Sequence, residues 1–379
     1  MGALSGIKIV ELAAIGPAPF CGMLLADMGA EVVRIERMHP VDLGVPIDRR
    51  FEILLRGRRW LAVDLKKPEG ISIVLALLAK ADALIEGFRP GVTERMGLGP
   101  ADCLARNPRL VYARMTGWGQ DGPLATAAGH DIDYIALTGV LDAIGPKGGA
   151  PVPPLNLVAD YGGGGAYLAI GVLAGIISAR STGQGQVVDA AMIDGAASLL
   201  TGVFAQLANG TWNSGRGTNV LDGGAPWYTV YEAADGKHVA IGAIENRFYA
   251  ELLRRLDIDD HDASGQYDRQ RWPALRERLA AVFRSRTRDE WTDLLEGTDT
   301  CFAPVLTVVE AKGYRHHRAR GTFVEIDGLT QPGAAPRFSA TPSRPGRIVR
   351  ASDATLLSDW GVDAALVESA RRSGALAAQ

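Results

Sequence analysis

Two stretches of the 379-residue sequence each place an ionisable side chain close to glycine and ahead of apolar or small residues. AGHDIDY at 128–134 contains His130, and NLVADYGGGG at 156–165 contains Asp160. Burying an imidazole or a carboxyl group costs free energy unless the group is paired or used. Because both groups can remove and deliver protons, the pattern makes them candidates for general acid–base catalysis. Each residue also has a structural interpretation, since histidines are common in loops and aspartates commonly cap helices.

Two further features could belong to the same site. Glu245 ends the predicted strand in IGAIENRF, where a carboxylate suits either catalysis or the capping of the next helix. The tetraglycine 162–165 could be a flexible linker. We interpret it instead as a place where backbone N–H groups approach a ligand closely.

Established cofactor and nucleophile motifs do not fit the sequence. IGPAPFCG follows a predicted strand, but the GxGxxG positions counted from Gly16 hold Ala18 and Cys21, which disfavours a nicotinamide site. The phosphate-loop pattern GxxxxGK[ST] and the hydrolase pattern GxSxG do not occur. The histidines lack the cysteine or carboxylate spacing of a zinc site, so we expect neither a metal nor a redox cofactor.

Composition limits the classes of function. Forty-seven per cent of the residues are hydrophobic, the net charge is −3 and the pI is about 6.1, which disfavours a nucleic-acid partner. Three widely spaced cysteines argue against a disulfide framework. Neither a signal peptide nor an apolar run of about 18 residues is evident, so we expect a cytoplasmic protein without a membrane partner. The arginines crowded into RRFEILLRGRRW suggest a local site for an anionic ligand; they are Arg49, Arg50, Arg56, Arg58 and Arg59.

Strand and helix patterns alternate along the first part of the chain, which predicts an α/β fold with a doubly wound, Rossmann-like sheet. The strand candidates are 7–12, 31–36, 60–65, 82–88 and 110–117. Farther along, WYTVYEAADGKHVAIGAI predicts a β-hairpin that turns at Asp235 and Gly236. These patterns predict a large domain over 1–208, a Gly-rich linker over 209–226, a small α/β domain over 227–310 and a C-terminal segment over 311–379 that returns to the large domain.

Taken together, several segments resemble the family III CoA-transferase superfamily and, within it, the α-methylacyl-CoA racemases. They run in order from residue 6 to about 308 and include GIKIVELAAIGPAPFCGMLLADMGAEVVRIER, WLAVDLKKPEG, ADALIEGFRPGVTERMGLGP, ARMTGWGQDGP, AGHDIDYIALTGVL, PPLNLVADYGGG, GQGQVVDAAMIDG, LDGGAPWYTVYEAADGKHVAIGAIE and DTCFAPVL. The last seventy residues carry much less of the resemblance.

The resemblance implies a role for each candidate residue. Transferases of this superfamily use a carboxylate at the position of Asp160 as a nucleophile and typically have an aromatic residue at the position of His130. The racemase branch has histidine there. The resemblance therefore implies epimerisation of 2-methyl-branched acyl-CoA thioesters through an enolate, with His130 and Asp160 as the two proton carriers. Glu245 matches a glutamate that holds the histidine in place.

The resemblance also implies a binding site and an assembly. Coenzyme A, which is part of the substrate, would be bound by Arg37, Val63, Asp64, Leu65, Lys66, Arg89, Arg95, Gly129, Asp131 and Tyr134. Arginines suit this task because they pair with phosphate oxygens in a bidentate manner. The expected assembly is an interlocked homodimer in which 209–226 crosses between the domains. We expect backbone N–H groups near Asp160 and the glycine run to stabilise the enolate oxygen.

Other functions remain open at this level. The chain could be a family III CoA transferase that uses Asp160 as its nucleophile, a catalytically idle acyl-CoA-binding protein or, with less support, a dehydrogenase. The preferred acyl chain is not determined either. Methionines often line adaptable acyl surfaces, and the candidates are Met23, Met28, Met115 and Met192.

Overall fold

The structure is a computed structural model that describes residues 1–39, 47–258, 263–349, 351–353 and 355–377. These described residues divide into two compact units. The first unit comprises Met1–Thr138, Pro154–Leu200 and Ala319–Gln379, and the second comprises Gly139–Pro153 and Thr201–Arg318. The domain bounds predicted from the sequence stay a prediction; they differ from these units because 139–153 and 201–208 pack with the second unit.

The elements alternate as the sequence patterns predict over the first part of the chain. The strands are β1 Lys8–Leu12, β2 Glu31–Glu36, β3 Arg59–Ala62, β4 Ala83–Glu86, β5 Val111–Thr116, β6 Gln186–Ala191, β7 Tyr228–Glu232, β8 His238–Gly242, β9 Phe302–Pro304, β10 Phe323–Ile326 and β11 Leu329–Pro332. The helices are α1 Pro17–Asp27, α2 Pro68–Leu78, α3 Val92–Arg95, α4 Pro100–Arg106, α5 Asp131–Thr138, α6 Val140–Ala143, α7 Tyr167–Thr182, α8 Met192–Leu199, α9 Thr201–Ala208, α10 Asn246–Arg255, α11 Trp272–Phe283, α12 Arg288–Leu295, α13 Val308–Gly313, α14 Arg315–Arg320, α15 Leu356–Asp359 and α16 Ala364–Arg372. A π-helical segment, Leu157–Ala166, leads directly into α7.

The first unit is built on a parallel sheet with the strand order β3-β2-β1-β4-β5-β6. Val10 of β1 lies in register with Val33 on one side and Leu84 on the other. The order reverses between β1 and β4, and ligands of such sheets bind in the crevice outside the carboxyl ends of the strands at that point. The predicted α/β fold with a large parallel sheet is therefore confirmed.

Both faces of this sheet are covered, as buried apolar residues on adjacent positions of parallel strands require. On one face, Val10 and Leu84 belong to the same apolar core as Leu77 of α2 and Leu356 of α15. On the other face, α7 packs against β5 and β6. The approach there is close, because a Cβ atom added to Gly175 would lie 2.8 Å from Val111 Cγ1. Helices on both faces make the sheet doubly wound.

The helical stretch Leu157–Thr182 is long and apolar enough to cross a membrane by length and composition alone. Half of its most apolar window is buried within the fold, as in the core helix of a globular protein. It packs against α1, α8 and β5. Packing beside the sheet accounts for its buried half, whereas Ile170 and Ile177 are exposed.

The second unit contains the antiparallel sheet β7-β8-β9. Tyr228 is in register with Gly242, and Gly236 at the turn has a positive φ of 74°, so the predicted hairpin is confirmed. Helices α10, α11 and α12 cover this sheet around an aromatic core that includes Trp227 and Phe283.

Candidate active site

A cleft of about 830 Å³ opens in the first unit at the carboxyl ends of β1, β4 and β5. Its lining residues come from the loops that follow these strands and from the segments before and within the π-helical segment; they include 13–19, 87–90, 115–118, 127–130, Tyr134, Asn156, Asp160 and Tyr161. This is the position at which the strand order reverses. The sheet topology therefore brings together residues that lie far apart in the sequence.

His130 immediately precedes α5 and lines this cleft with an exposed side chain. Its backbone carbonyl accepts hydrogen bonds from the N–H groups of Asp133 (2.9 Å) and Tyr134 (3.3 Å). The carboxylate of Asp133 accepts in return from the backbone N–H of His130, at 2.9 Å. These bonds fix the backbone of His130 and leave the imidazole available to the cleft.

Asp160 lies in the π-helical segment and lines the same cleft. Burial raises the pKa of its carboxyl group above the ordinary value, and the charge of Asp131 raises it further. A hydrogen bond donated by the Asn156 amide to Oδ2 (3.1 Å) and the charge of His130 lower that pKa in opposition. Both proton carriers expected from the sequence thus face one cleft, close enough for the charge of His130 to act on Asp160.

The carboxylate of Asp131 connects the two segments. One oxygen, Oδ2, accepts hydrogen bonds from the backbone N–H groups of Ala159 (2.7 Å) and Asp160 (2.8 Å). Asp131 is buried and does not contribute to the lining of the cleft. These two N–H groups, which lie near Asp160 as the expected oxyanion donors do, are therefore engaged by Asp131 instead.

The interpretation of the tetraglycine as a ligand-facing turn is wrong, because the run lies within the π-helical segment and packs against other helices. A Cβ atom added to Gly163 would lie 2.5 Å from the backbone nitrogen of Ala196 in α8. One added to Gly165 would lie 2.7 Å from the ring of Phe20 in α1. Glycine is required here for close helix packing.

An aromatic pair supports the His130 side of the cleft. The hydroxyl of Tyr134 donates a 2.5 Å hydrogen bond to the Gly129 carbonyl, and its ring packs edge-on against Trp118 with centroids 4.8 Å apart. Burial raises the pKa of Tyr134 to about 12, so its hydroxyl stays a donor. A Cβ atom on Gly117 would lie 2.2 Å from the Tyr134 ring, which explains the glycine there.

Only part of the expected substrate site lines the cleft. The expected residues that do so are Arg37, Arg89, Gly129 and Tyr134. The run 63–66 lies elsewhere, since Val63 is buried and bridges to Leu376. Arg95 is exposed at the end of α3, outside the lining residues. Of the candidate methionines, Met115 and Met192 line the cleft, whereas Met23 and Met28 are buried outside it.

Sequence reasoning missed the residues that hold the loop after β4. Glu86 is fully buried at the end of β4, and its carboxylate accepts from the backbone N–H of Phe88 (2.7 Å) and from Nε of Arg114 (2.9 Å). Arg114 also pairs with Glu94. Phe88 and Arg89 line the cleft, so Glu86 fixes part of its wall. Asn156 was missed too, although it stands four residues before Asp160, about one helical turn.

The interpretation of the arginine-rich stretch as an anion site is wrong, because each of its arginines is paired with a carboxylate of the chain. The pairs are Arg49 with Glu36, Arg50 with Asp48, Arg56 with Asp27, Arg58 with Glu11 and Arg59 with Asp353. Arg56 and Arg58 are nearly inaccessible to solvent. Their charges therefore neutralise buried carboxylates inside the fold.

Glu245 belongs to the second unit, where it is exposed and directly precedes α10. It acts electrostatically on Tyr267 and Cys301 of that unit. Its relation to His130 stays a prediction. Across the residues that the structure describes, no group of three or more His, Cys, Asp or Glu side chains is arranged to hold a metal ion.

Comparisons with known proteins agree with this architecture. A family model described as CoA-transferase family III matches residues 4–348. The chain is 44% identical over 344 residues to the α-methylacyl-CoA racemase of Mus musculus, and 42% identical over 346 residues to that of Homo sapiens; each match covers 90% of this chain and 88% of the relative. The crystal structure of a CAIB/BAIF family protein from Brucella suis is similar with a TM-score of 0.78 at 26% identity, covering 95% of this chain and 99% of that one. The chain therefore belongs to CoA-transferase family III.

Proposed function

We propose that this protein is an isomerase that inverts the α-carbon of 2-methyl-branched acyl-CoA thioesters. The observation that carries the proposal is that His130 and Asp160 line one cleft, with the charge of the histidine acting on the carboxyl group. Its relatives at 42–44% identity are named α-methylacyl-CoA racemases. No metal or redox cofactor enters the proposal, since coenzyme A is part of the substrate.

In this reaction one residue removes the α-proton and the other delivers a proton to the opposite face. Burial raises the pKa of Asp160 above its ordinary value, which brings the carboxyl group closer to the range in which it can both deliver and accept a proton. The roles are exchanged for the other epimer. General acid–base catalysis contributes about 10²–10⁴-fold to the rate, so stabilisation of the enolate oxygen must supply much of the remainder.

We assign that stabilisation to the N-terminal end of α5, beside His130. The N–H groups of Ala159 and Asp160 are engaged by Asp131, which removes two of the donors expected from the sequence. The first N–H groups of a helix have no partner within it. In α5 the N–H groups of Asp133 and Tyr134 bond to the His130 carbonyl, so the assignment falls on those of Asp131 and Ile132. The carboxylates of Asp131 and Asp133 in this turn offset the helix dipole, so the assignment rests on the N–H groups.

The remaining residues of the proposal bind coenzyme A or orient the His130 imidazole. Arg37 and Arg89 are exposed and line the cleft, where they would pair with the phosphates of coenzyme A. Glu245 is proposed to hold the tautomer and orientation of the His130 imidazole, as carboxylate partners of histidine do. The proposal retains the interlocked homodimer that the family resemblance implies.

A CoA transferase that uses Asp160 as its nucleophile is the second candidate, because the matching family model is one of CoA transferases. A transferase does not require an imidazole at position 130, whereas the two-base mechanism uses one there.

The deciding experiment incubates single epimers of several 2-methylacyl-CoA thioesters with the protein in D2O. We expect deuterium at the α-carbon to appear together with the opposite epimer. A configurationally stable substrate without deuterium incorporation contradicts the proposal. Trapping of an acyl-enzyme at Asp160 by hydroxylamine, with turnover dependent on an acid acceptor, favours the transferase instead.

A further inference from the structure

Asp131 has a buried carboxylate that connects the segment of His130 with the segment of Asp160. Asp131 is 5% exposed and directly follows His130 in the chain. Its Oδ2 accepts from the backbone N–H groups of Ala159 and Asp160, at 2.7 and 2.8 Å. The start of α5 is thereby tied to the segment that carries Asp160.

The carboxylate of Asp131 is bound by backbone N–H groups, whereas most buried carboxylates are paired with a cationic side chain. Among the described residues, Oδ1 of Asp131 is buried without a hydrogen-bond partner. Burial of an unpaired carboxylate is costly, whereas hydrogen bonds from N–H groups to an ionised acceptor are roughly twice as strong as neutral ones. The two N–H groups of the π-helical segment therefore offset the free-energy cost of burying the Asp131 carboxylate.

We propose that Asp131 is a positioning residue that holds the segment of Asp160 at a fixed place relative to His130. This inference rests on the proposed function, in which those two side chains carry the protons. Two proton carriers must face one carbon atom from opposite sides, and a displacement of about 1 Å can lower a rate by about 10²-fold. A direct bond from the residue after His130 to the backbone of Asp160 provides that restraint.

Asp131 also acts through its charge. It raises the pKa of Asp160, together with burial, while Asn156 and His130 lower it. The pKa of Tyr134 in α5 is raised by burial and then by the charges of Asp160 and Asp133, whereas the charge of Arg89 lowers it. The other elements packed against the segment, α1, α7, α8 and β6, add no charged group that acts on Asp160 in the described residues. Substitutions of Asp131 can therefore separate its effect on the position of Asp160 from its effect on the pKa of Asp160.

Asp131→Asn and Asp131→Ala make that separation. The asparagine keeps an oxygen that can accept from both N–H groups but removes the charge, whereas the alanine removes both. We expect Asp131→Ala to lower kcat for α-hydrogen exchange about 10- to 100-fold with KM changed less than about twofold. Asp131→Asn should keep most of kcat and shift the Asp160-dependent limb of the pH profile to lower pH.

Asp363 is a matched control. Its Oδ1 accepts from two successive N–H groups, Ala365 (2.9 Å) and Leu366 (3.0 Å), at the start of α16, outside the cleft. Asp363→Ala should affect helix capping and leave the exchange rate and pH profile unchanged. Because Asp363 is exposed, this variant controls only for the loss of contacts to two successive N–H groups. A loss of stability alone in Asp131→Ala would lower the amount of folded protein and leave its pH profile unchanged.

Hydrogen–deuterium exchange of the backbone amides in 157–166 gives a readout that does not depend on catalysis. We expect faster exchange in Asp131→Ala and near-normal exchange in Asp131→Asn. If the unmodified protein exchanges no α-hydrogen but Asp131→Ala loosens this segment, the proposed function fails while the positioning contact stands. If the unmodified protein is active and Asp131→Ala matches it in kcat, pH profile and amide exchange, the inference is overturned.

Discussion

The side-chain amide of Asn156 donates a 3.1 Å hydrogen bond to Oδ2 of Asp160, and both residues line the cleft. A hydrogen bond to the charged form of a carboxyl group lowers its pKa. Asn156→Ala should therefore raise the pKa of Asp160 and move the Asp160-dependent limb of the pH–rate profile to higher pH. This direction is opposite to that expected for Asp131→Asn. Asn209→Ala, at an exposed position of the second unit, should leave the profile unchanged.

His130→Ala should remove one of the two proton carriers. We expect proton removal from one epimer to fall by about 10²–10⁴-fold, and removal from the other epimer to fall less, because Asp160 remains as a base. Deuterium incorporation measured separately from each epimer provides the test. His238→Ala changes another exposed histidine, in β8, and should have no effect. Equal full activity from both epimers in His130→Ala would exclude the assigned role.

Gly16→Ala should damage both the candidate site and the stability of the fold. Gly16 has a positive φ of 66°, and an added Cβ atom would lie 3.2 Å from Oδ2 of Asp160. Its ψ of −116° places Gly16 outside the left-handed helical region, in a conformation that residues other than glycine rarely adopt, so alanine there also strains the backbone. Gly183, with a φ of 77°, a ψ of 2° and open space around it, controls for a positive φ alone; alanine in that left-handed region costs roughly 1–2 kcal/mol.

We expect Gly16→Ala to lose more free energy of unfolding than Gly183→Ala, measured by chemical denaturation, because alanine adopts the Gly16 conformation less readily. Only Gly16→Ala should lower α-hydrogen exchange, because only its methyl group presses on Asp160. Equal catalytic rates in the two variants would argue that the contact with Gly16 does not affect the reaction.

Glu86 should make stability depend on pH near neutrality. Burial raises its pKa to about 7, so its folded-state pKa lies above that of the unfolded chain. The contribution is therefore fully present at about pH 4 and is lost as pH rises through about 7; its size is on the order of 3 kcal/mol. Glu86→Gln should flatten the free energy of unfolding between about pH 5 and about pH 8, as measured by denaturant titration. An unchanged pH dependence in this variant would show that Glu86 is not the titrating group.

Local sequence patterns were sufficient for the framework. Strand candidates at 7–12, 31–36 and 82–88 correspond to β1, β2 and β4, because buried parallel strands are continuous apolar runs. The hairpin turn at Asp235 and Gly236 was also predictable from its residue types. His130 and Asp160 stood out because each is an ionisable residue near glycine.

Other predictions failed where the outcome depended on partners distant in the chain. The arginines of 49–59 resembled an anion site in sequence, but their partners include Glu11, Asp27 and Asp353. The tetraglycine resembled a ligand loop, but Gly163 serves the approach of α8. Neither the ion pairs of these arginines nor the contact of Gly163 with α8 can be inferred from local spacing.

The sequence by itself determined the α/β alternation, through local pattern, and pointed to His130 and Asp160 as candidate proton carriers, through the family resemblance. Only the tertiary structure decided that Asp131 binds the N–H groups of Ala159 and Asp160, 28 and 29 residues away. The physical reason is that hydrogen bonds act over about 3 Å. Which groups come within that distance is set by the packing of α5 against the π-helical segment.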